Sequence, residues 1–142
     1  MTDKRDEEGF TLVELMVVIV IIGLLATVVI VNVLPTQDRA MIGKTRADIA
    51  LLEQAVEMYR LDNFSYPKTE DGLRALQSAP EATAASGRYR AGGYIRRLPN
   101  DPWDRPYQYR APGRQGPFDI FSLGADGQEG GDGENADLGN WG

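Results

Sequence analysis

Residues 10–34 are apolar at all but a few positions, the polar ones being Thr11, Glu14, Thr27 and Asn32. No alternation and no amphipathic spacing interrupts the run, so it predicts a helix that is apolar all round. At about 1.5 Å per residue such a helix reaches about 37 Å, enough to cross a hydrocarbon core of about 30 Å with some tilt. The pattern changes after Pro35. Across 38–61, Ile42, Ile49, Leu52, Val56 and Tyr59 fall on one helical face. Lys44, Arg46, Asp48, Glu53, Glu57 and Arg60 are mostly turned away from it. Good periodicity resumes within two turns of Pro35, so the proline is expected to bend or loosen one long helix without ending it.

Asn63, Ser65 and Pro67 are expected to stop the helix. Residues 70–77 predict a short helix with Thr69 as N-cap and Leu73 and Leu76 facing inward. Residues 79–93 read as a mobile small-residue loop, and 99–102 and 104–106 as turns. Residues 107–110 and 118–122 read as two strands of a hairpin. Residues 124–142, rich in glycine, read as a loop. Trp103 and Trp141 suit the sealing of a small core, and the Arg96–Arg97 pair suits a solvated surface.

Composition narrows the chemistry. The chain has 142 residues, no cysteine and no histidine. Disulfide frameworks, thiolate zinc sites and triads built on His or Cys are excluded. The net charge is −6, and from Asp119 onward there are six acidic residues and no Lys or Arg. That field repels nucleic acid and favours a cation as partner.

Glu14 is the anomaly of the apolar run. A carboxylate inside a membrane helix costs roughly 2.5–3.5 kcal/mol on insertion scales, which a simple anchor has no reason to bear. A secretory signal would place small residues behind the run, and the residues after Ala26 suit that poorly. Cleavage between Gly9 and Phe10 would instead create an amine on Phe10, one helical turn from Glu14. Glu14 of one subunit can then neutralise the amine of a neighbour and set the register between them. The short charged leader, the Gly9-Phe10 junction, Glu14 and the apolar run together resemble the type IV pilin and pseudopilin precursors. The resemblance implies cleavage by prepilin peptidase after Gly9 and N-methylation of Phe10. Lys4 and Arg5 before the span are balanced by Arg39, Lys44 and Arg46 after it, so orientation too is taken from the resemblance.

The acidic tail adds a second feature. Asp126 and Asp137 stand at positions 1 and 12 of an EF-hand frame with Gly131 at 6, but Gln128 and Gly130 spoil positions 3 and 5. On this pattern alone a calcium site and a solvated acidic loop are both open. The segments 98–103, 106–109, 122–127 and 136–141 resemble the major pseudopilins of type II secretion systems, and the similarity covers essentially the whole chain. One departure is that relatives often carry a proline near Val31, where this chain has Pro35 four residues later.

That resemblance implies an α+β, type IV pilin-like fold: a long N-terminal helix, a small antiparallel sheet and a calcium-binding C-terminal loop. It divides the chain into a leader (1–9), a transmembrane and assembly helix (10–34) and a periplasmic domain (35–142). Carried over by position, the Ca²⁺ ligands are Asp126, Asp137 and the Leu123 carbonyl, with Asp132 and Asn135 as further members. The implied function is structural, with no catalytic residue. The subunit is anchored in the inner membrane and polymerises into a pseudopilus that exports folded proteins. Implied partners are further copies of the chain, prepilin peptidase, minor pseudopilins, an inner-membrane assembly platform and an outer-membrane secretin. Two rivals stand beside it: a major subunit of a true type IV pilus, and a monomeric membrane-anchored calcium-dependent binding module.

Overall fold

The computed structural model describes residues 9–142, and for 30–36 the backbone only. The chain divides into two compact units, the first ending at Asp38 and the second beginning at Arg39. One α-helix, α1, runs over Leu12–Asn63. The backbone is helical at Pro35, so the proline does not end it; its side chain and that of Val31 lie outside the described residues.

In the first unit α1 carries an 18-residue apolar window, Leu12–Val29, none of which is buried within the chain. Its hydroxyl is satisfied locally: Thr27 Oγ1 donates to the Gly23 carbonyl at 2.9 Å. An exposed surface this apolar needs lipid or protein to cover it.

In the second unit α1 buries Thr45, Ile49, Leu52, Ala55, Val56, Tyr59 and Asn63. The predicted stripe therefore holds, with Thr45 filling the gap between Ile42 and Ile49. A hydroxyl is tolerated there because it donates to the Met41 carbonyl at 2.9 Å. The helix stops where Phe64 turns to φ +63° while its N–H still reaches the Arg60 carbonyl at 2.7 Å.

The expected helix at 70–77 contracts to a 3₁₀ segment, Gly72–Leu76, which does bury Leu73 and Leu76. Thr69 is not its cap. Its hydroxyl instead donates to the Ala111 carbonyl at 3.0 Å and accepts the Ala111 N–H at 2.9 Å, pairing two distant loops. Within 79–93 a single helical turn, α2, forms over Glu81–Ala84. The segment around it is fastened: the Tyr89 hydroxyl donates to the Ala75 carbonyl at 2.8 Å, and Tyr59, Tyr89 and Tyr94 meet edge to face.

Strands β1 (Gln108–Arg110) and β2 (Asp119–Ser122) form the expected antiparallel hairpin, with Tyr109 opposite Ile120. The tail is not loop throughout. Leu138–Gly139 forms β3, which pairs antiparallel with β2 and makes it the central strand. Every residue of β2 is buried, because its two faces are both covered. Ile120 joins the α1 core, and Phe121 packs against Trp141 with ring centres 5.8 Å apart. Trp141 covers this edge while remaining 39% exposed, so it lids the sheet from outside the core.

Two polar side chains in β2 need compensation. Asp119, fully buried, accepts from Arg110 Nε at 2.7 Å, Arg114 N–H at 2.8 Å and Gln115 N–H at 3.3 Å. Burial pushes this carboxyl up, but those three donors outweigh it and hold it below the usual carboxylate range.

Candidate functional site

The first site is the start of α1. Thr11 precedes the first helical residue and Glu14 is the third residue in, the spacing of a capping box. The Thr11 hydroxyl accepts the Glu14 N–H at 3.2 Å, and Glu14 Oε2 accepts the Thr11 N–H at 3.1 Å. Two orphan donors of the helix end are satisfied without water. This also fixes the carboxylate beside Phe10, which is 84% exposed and directly follows Gly9. Sequence reasoning singled out Glu14 for its charge and missed Thr11, although the Thr-x-x-Glu spacing was there to read. The leader before Gly9 lies outside the described residues.

The second site is the loop between β2 and β3. It is folded tightly on glycines: Gly124, Gly127, Gly130, Gly131 and Gly133 all have positive φ. Gly124 is required twice over, since a Cβ there would also come within 2.7 Å of the Ala136 carbonyl. The two sides of the loop are joined by Ala125 N–H donating to the Glu134 carbonyl at 3.0 Å.

The expected ligand residues occupy this loop unevenly. Asp126 is exposed, and its Oδ1 accepts the Gln128 N–H at 3.1 Å. Asp137 is half-buried. Its Oδ2 accepts the Gly130 N–H at 3.1 Å, while its Oδ1 is buried without a hydrogen-bond partner. Asp132 and Asn135 are exposed; Asp132 precedes the 3₁₀ turn Gly133–Asn135 and Asn135 is its last residue. Among the described residues no three Asp or Glu side chains gather as a metal cluster, so Asp126, Asp132 and Asp137 do not form a carboxylate triad. The donor set is of the kind calcium takes, carboxylates mixed with amide and main-chain oxygens. The orphaned Asp137 Oδ1 is the atom that fits such an ion best, because a buried lone carboxylate oxygen is otherwise costly.

Two tethers behind the loop, from Asp101 and from Arg105, were not read from the sequence. Asp101, buried, accepts Trp103 N–H at 3.1 Å and Arg105 N–H at 2.8 Å on Oδ1, and the Ser122 hydroxyl at 2.8 Å on Oδ2. It caps the turn expected over 99–106 and also ties that turn to β2. Arg105 reaches from the same turn into the loop. Nothing in the local sequence distinguishes these contacts from ordinary turn chemistry.

Residues 32–141 match the family model "Type II secretion system (T2SS), protein G", and residues 4–30 match the "Prokaryotic N-terminal methylation motif". The chain is 52% identical over 141 residues to the type II secretion system core protein G of Vibrio cholerae, covering 99% of this chain and 96% of that one. It is 49% identical over 138 residues to the core protein G of Pseudomonas aeruginosa, covering 97% of each. The crystal structure of the major pseudopilin from the type 2 secretion system of enterohaemorrhagic Escherichia coli is similar at TM-score 0.66 and 47% identity. The match covers 78% of this chain and 94% of that one.

Proposed function

The chain belongs to the type II secretion system protein G family and is a major pseudopilin, and from that premise we propose how its two ends serve the fibre. Prepilin peptidase removes residues 1–9 between Gly9 and Phe10, and the freed amine of Phe10 is methylated. Residues 10–34 hold the subunit in the inner membrane as a single pass, with 35–142 in the periplasm. Copies then join helix to helix into a pseudopilus that drives folded proteins toward an outer-membrane secretin. Minor pseudopilins and an inner-membrane platform assist.

The observation that carries this reading is Glu14, a carboxylate fixed at the head of a helical span that is otherwise apolar and wholly uncovered within the chain. A charge in that setting calls for an opposite charge, and the Phe10 amine of a neighbouring copy is of the right sign at the right depth. A Glu14→Ala strain tests it. Secretion and fibre assembly are expected to collapse; secretion at the wild-type rate would overturn the reading.

The tail loop is proposed to hold Ca²⁺ through Asp126, Asp137 and the Leu123 carbonyl, with Asp132 and Asn135 completing the set. A bound calcium ion supplies a divalent charge that draws several oxygens into one shell. What the chain contributes is a glycine-built loop already closed at Ala125 and an acceptor, Asp137 Oδ1, buried beside it. Ordering so many glycines is entropically costly, and a cation bridging the two sides offsets part of that.

A further inference from the structure

Arg105 crosses from the 101–105 turn to the first half of the tail loop. Its Nη2 donates to the carbonyls of Gly124 at 2.9 Å and Ala125 at 2.8 Å. Gly127, at φ +67°, lies against its Nη1, and a Cβ there would overlap that nitrogen. The base of the side chain is equally held. Arg105 N–H donates to Asp101 Oδ1 at 2.8 Å, Asp101 N–H donates to the Arg105 carbonyl at 2.8 Å, and Asp101 Oδ2 takes the buried Ser122 hydroxyl.

The guanidinium has an unusual set of partners. Among the described residues no carboxylate pairs with it, and its Nε is buried without an acceptor. Its charge is met by main-chain carbonyl dipoles, the same oxygens a hard metal ion would seek in a glycine-rich loop.

We propose that Arg105 is a resident organic cation of the tail loop, a positioning residue that holds residues 124–127 against the domain before any metal ion binds. The Gly124 and Ala125 carbonyls are engaged by the guanidinium. The metal's share is then the Leu123 carbonyl and the side chains out to Asp137, so the loop orders in two stages under two different cations. The second stage rests on the calcium reading above; the first does not.

The test is amide exchange by NMR on the full chain in detergent micelles, with EGTA or with calcium chloride. The Ala125 amide, bonded to the Glu134 carbonyl, reports on the Arg105 half, and the Gly130 amide, bonded to Asp137 Oδ2, reports on the metal half. In EGTA, Arg105→Gln should speed Ala125 exchange by about tenfold or more, with Arg105→Lys in between. The Tyr94 amide, bonded to the Leu76 carbonyl, should not change, which shows the domain still folded. Should Arg105→Gln unfold the domain, Arg105→Lys carries the comparison alone. Gly127→Ala should disturb Ala125 more when Arg105 is present than in the Arg105→Gln background. Ala125 exchange in EGTA that is unchanged by either Arg105 substitution overturns the proposal. So does a wild-type Ala125 amide that becomes protected only with calcium. Gly130 exchange that ignores calcium would refute the calcium reading, and the Ala125 difference would still support Arg105.

Discussion

Thr11 and Glu14 cap each other across the first turn of α1, at 3.2 Å and 3.1 Å. The carboxylate thus has a task inside its own subunit besides the one proposed between subunits, and the two can be separated. Glutamine also serves at this capping position, so Glu14→Gln keeps the helix start and discards the charge. Amide exchange over residues 11–15 should stay within a few-fold of wild type, while cross-linking between engineered cysteines on neighbouring subunits should collapse. The chain has no cysteine of its own to confuse that experiment. Thr11→Val reverses the pattern, fraying the first turn at a cost of about 0.5–2 kcal/mol with the charge retained. Undiminished cross-linking in Glu14→Gln would remove the charge from the assembly mechanism.

Asp119 should govern the acid limb of stability. Its folded-state pKa lies below the unfolded value because Arg110 and two N–H groups outweigh burial. The stabilisation is therefore present above about pH 4 and lost as pH falls through the folded value. Asp119→Asn should flatten the acid side of a plot of melting temperature against pH. It should also cost about 3 kcal/mol or more at neutral pH, since Arg110 is left without its buried partner. An acid limb identical to wild type would show that other carboxylates control it.

Tyrosines should govern the alkaline limb. Burial raises Tyr107 and Tyr109 well above the usual phenol range, and the nearby Asp48 carboxylate adds to it for Tyr107. Raised folded values mean stability that is complete below about pH 10 and declines as pH climbs beyond it. The Tyr107 hydroxyl donates to Asp48 Oδ2 at 2.8 Å. Tyr107→Phe should cost about 1 kcal/mol at neutral pH and shallow the alkaline slope. Tyrosinate absorbance followed through alkaline unfolding would check it; phenols titrating freely before unfolding begins would contradict it.

Calcium should raise the melting temperature of the chain over that in EGTA. An ion at about a hundred times its dissociation constant stabilises by about 2.7 kcal/mol. Asp137→Asn, which alters the orphaned oxygen, should abolish most of the difference. Calorimetry without heat, together with equal melting in calcium and EGTA, would remove the site.

The elements read most easily were those whose hydrophobic period is long. Spacings of 3, 4 and 3 place Ile49, Leu52, Val56 and Tyr59 on one face, and a nearly continuous apolar run announces the span. The β1–β2 hairpin was legible from the alternation of residues 107–110 and the second short segment, 118–122. What was hidden depends on contacts between remote segments. Leu138–Gly139 has only two residues, one of them a glycine, too little to signal a strand, and becomes one only because β2 offers a free edge. Thr69 looked like a cap because caps are local, yet its partner is Ala111. Of the tail loop, acidity and glycine content were visible; the Arg105 and Asp101 tethers were not, because both lie some twenty residues upstream in an ordinary-looking turn.

Residues 138–140 also decide when the sheet is closed. Asn140 takes both main-chain groups of Ile120, accepting its N–H at 3.2 Å on the side-chain oxygen and donating its own N–H to its carbonyl at 3.0 Å. Gly139 pairs with Phe121 beside it. Until residue 140 has arrived, the central strand keeps an unpaired edge, the feature by which sheets recruit foreign strands. A nascent or prematurely stopped copy is therefore marked as incomplete by its own open edge.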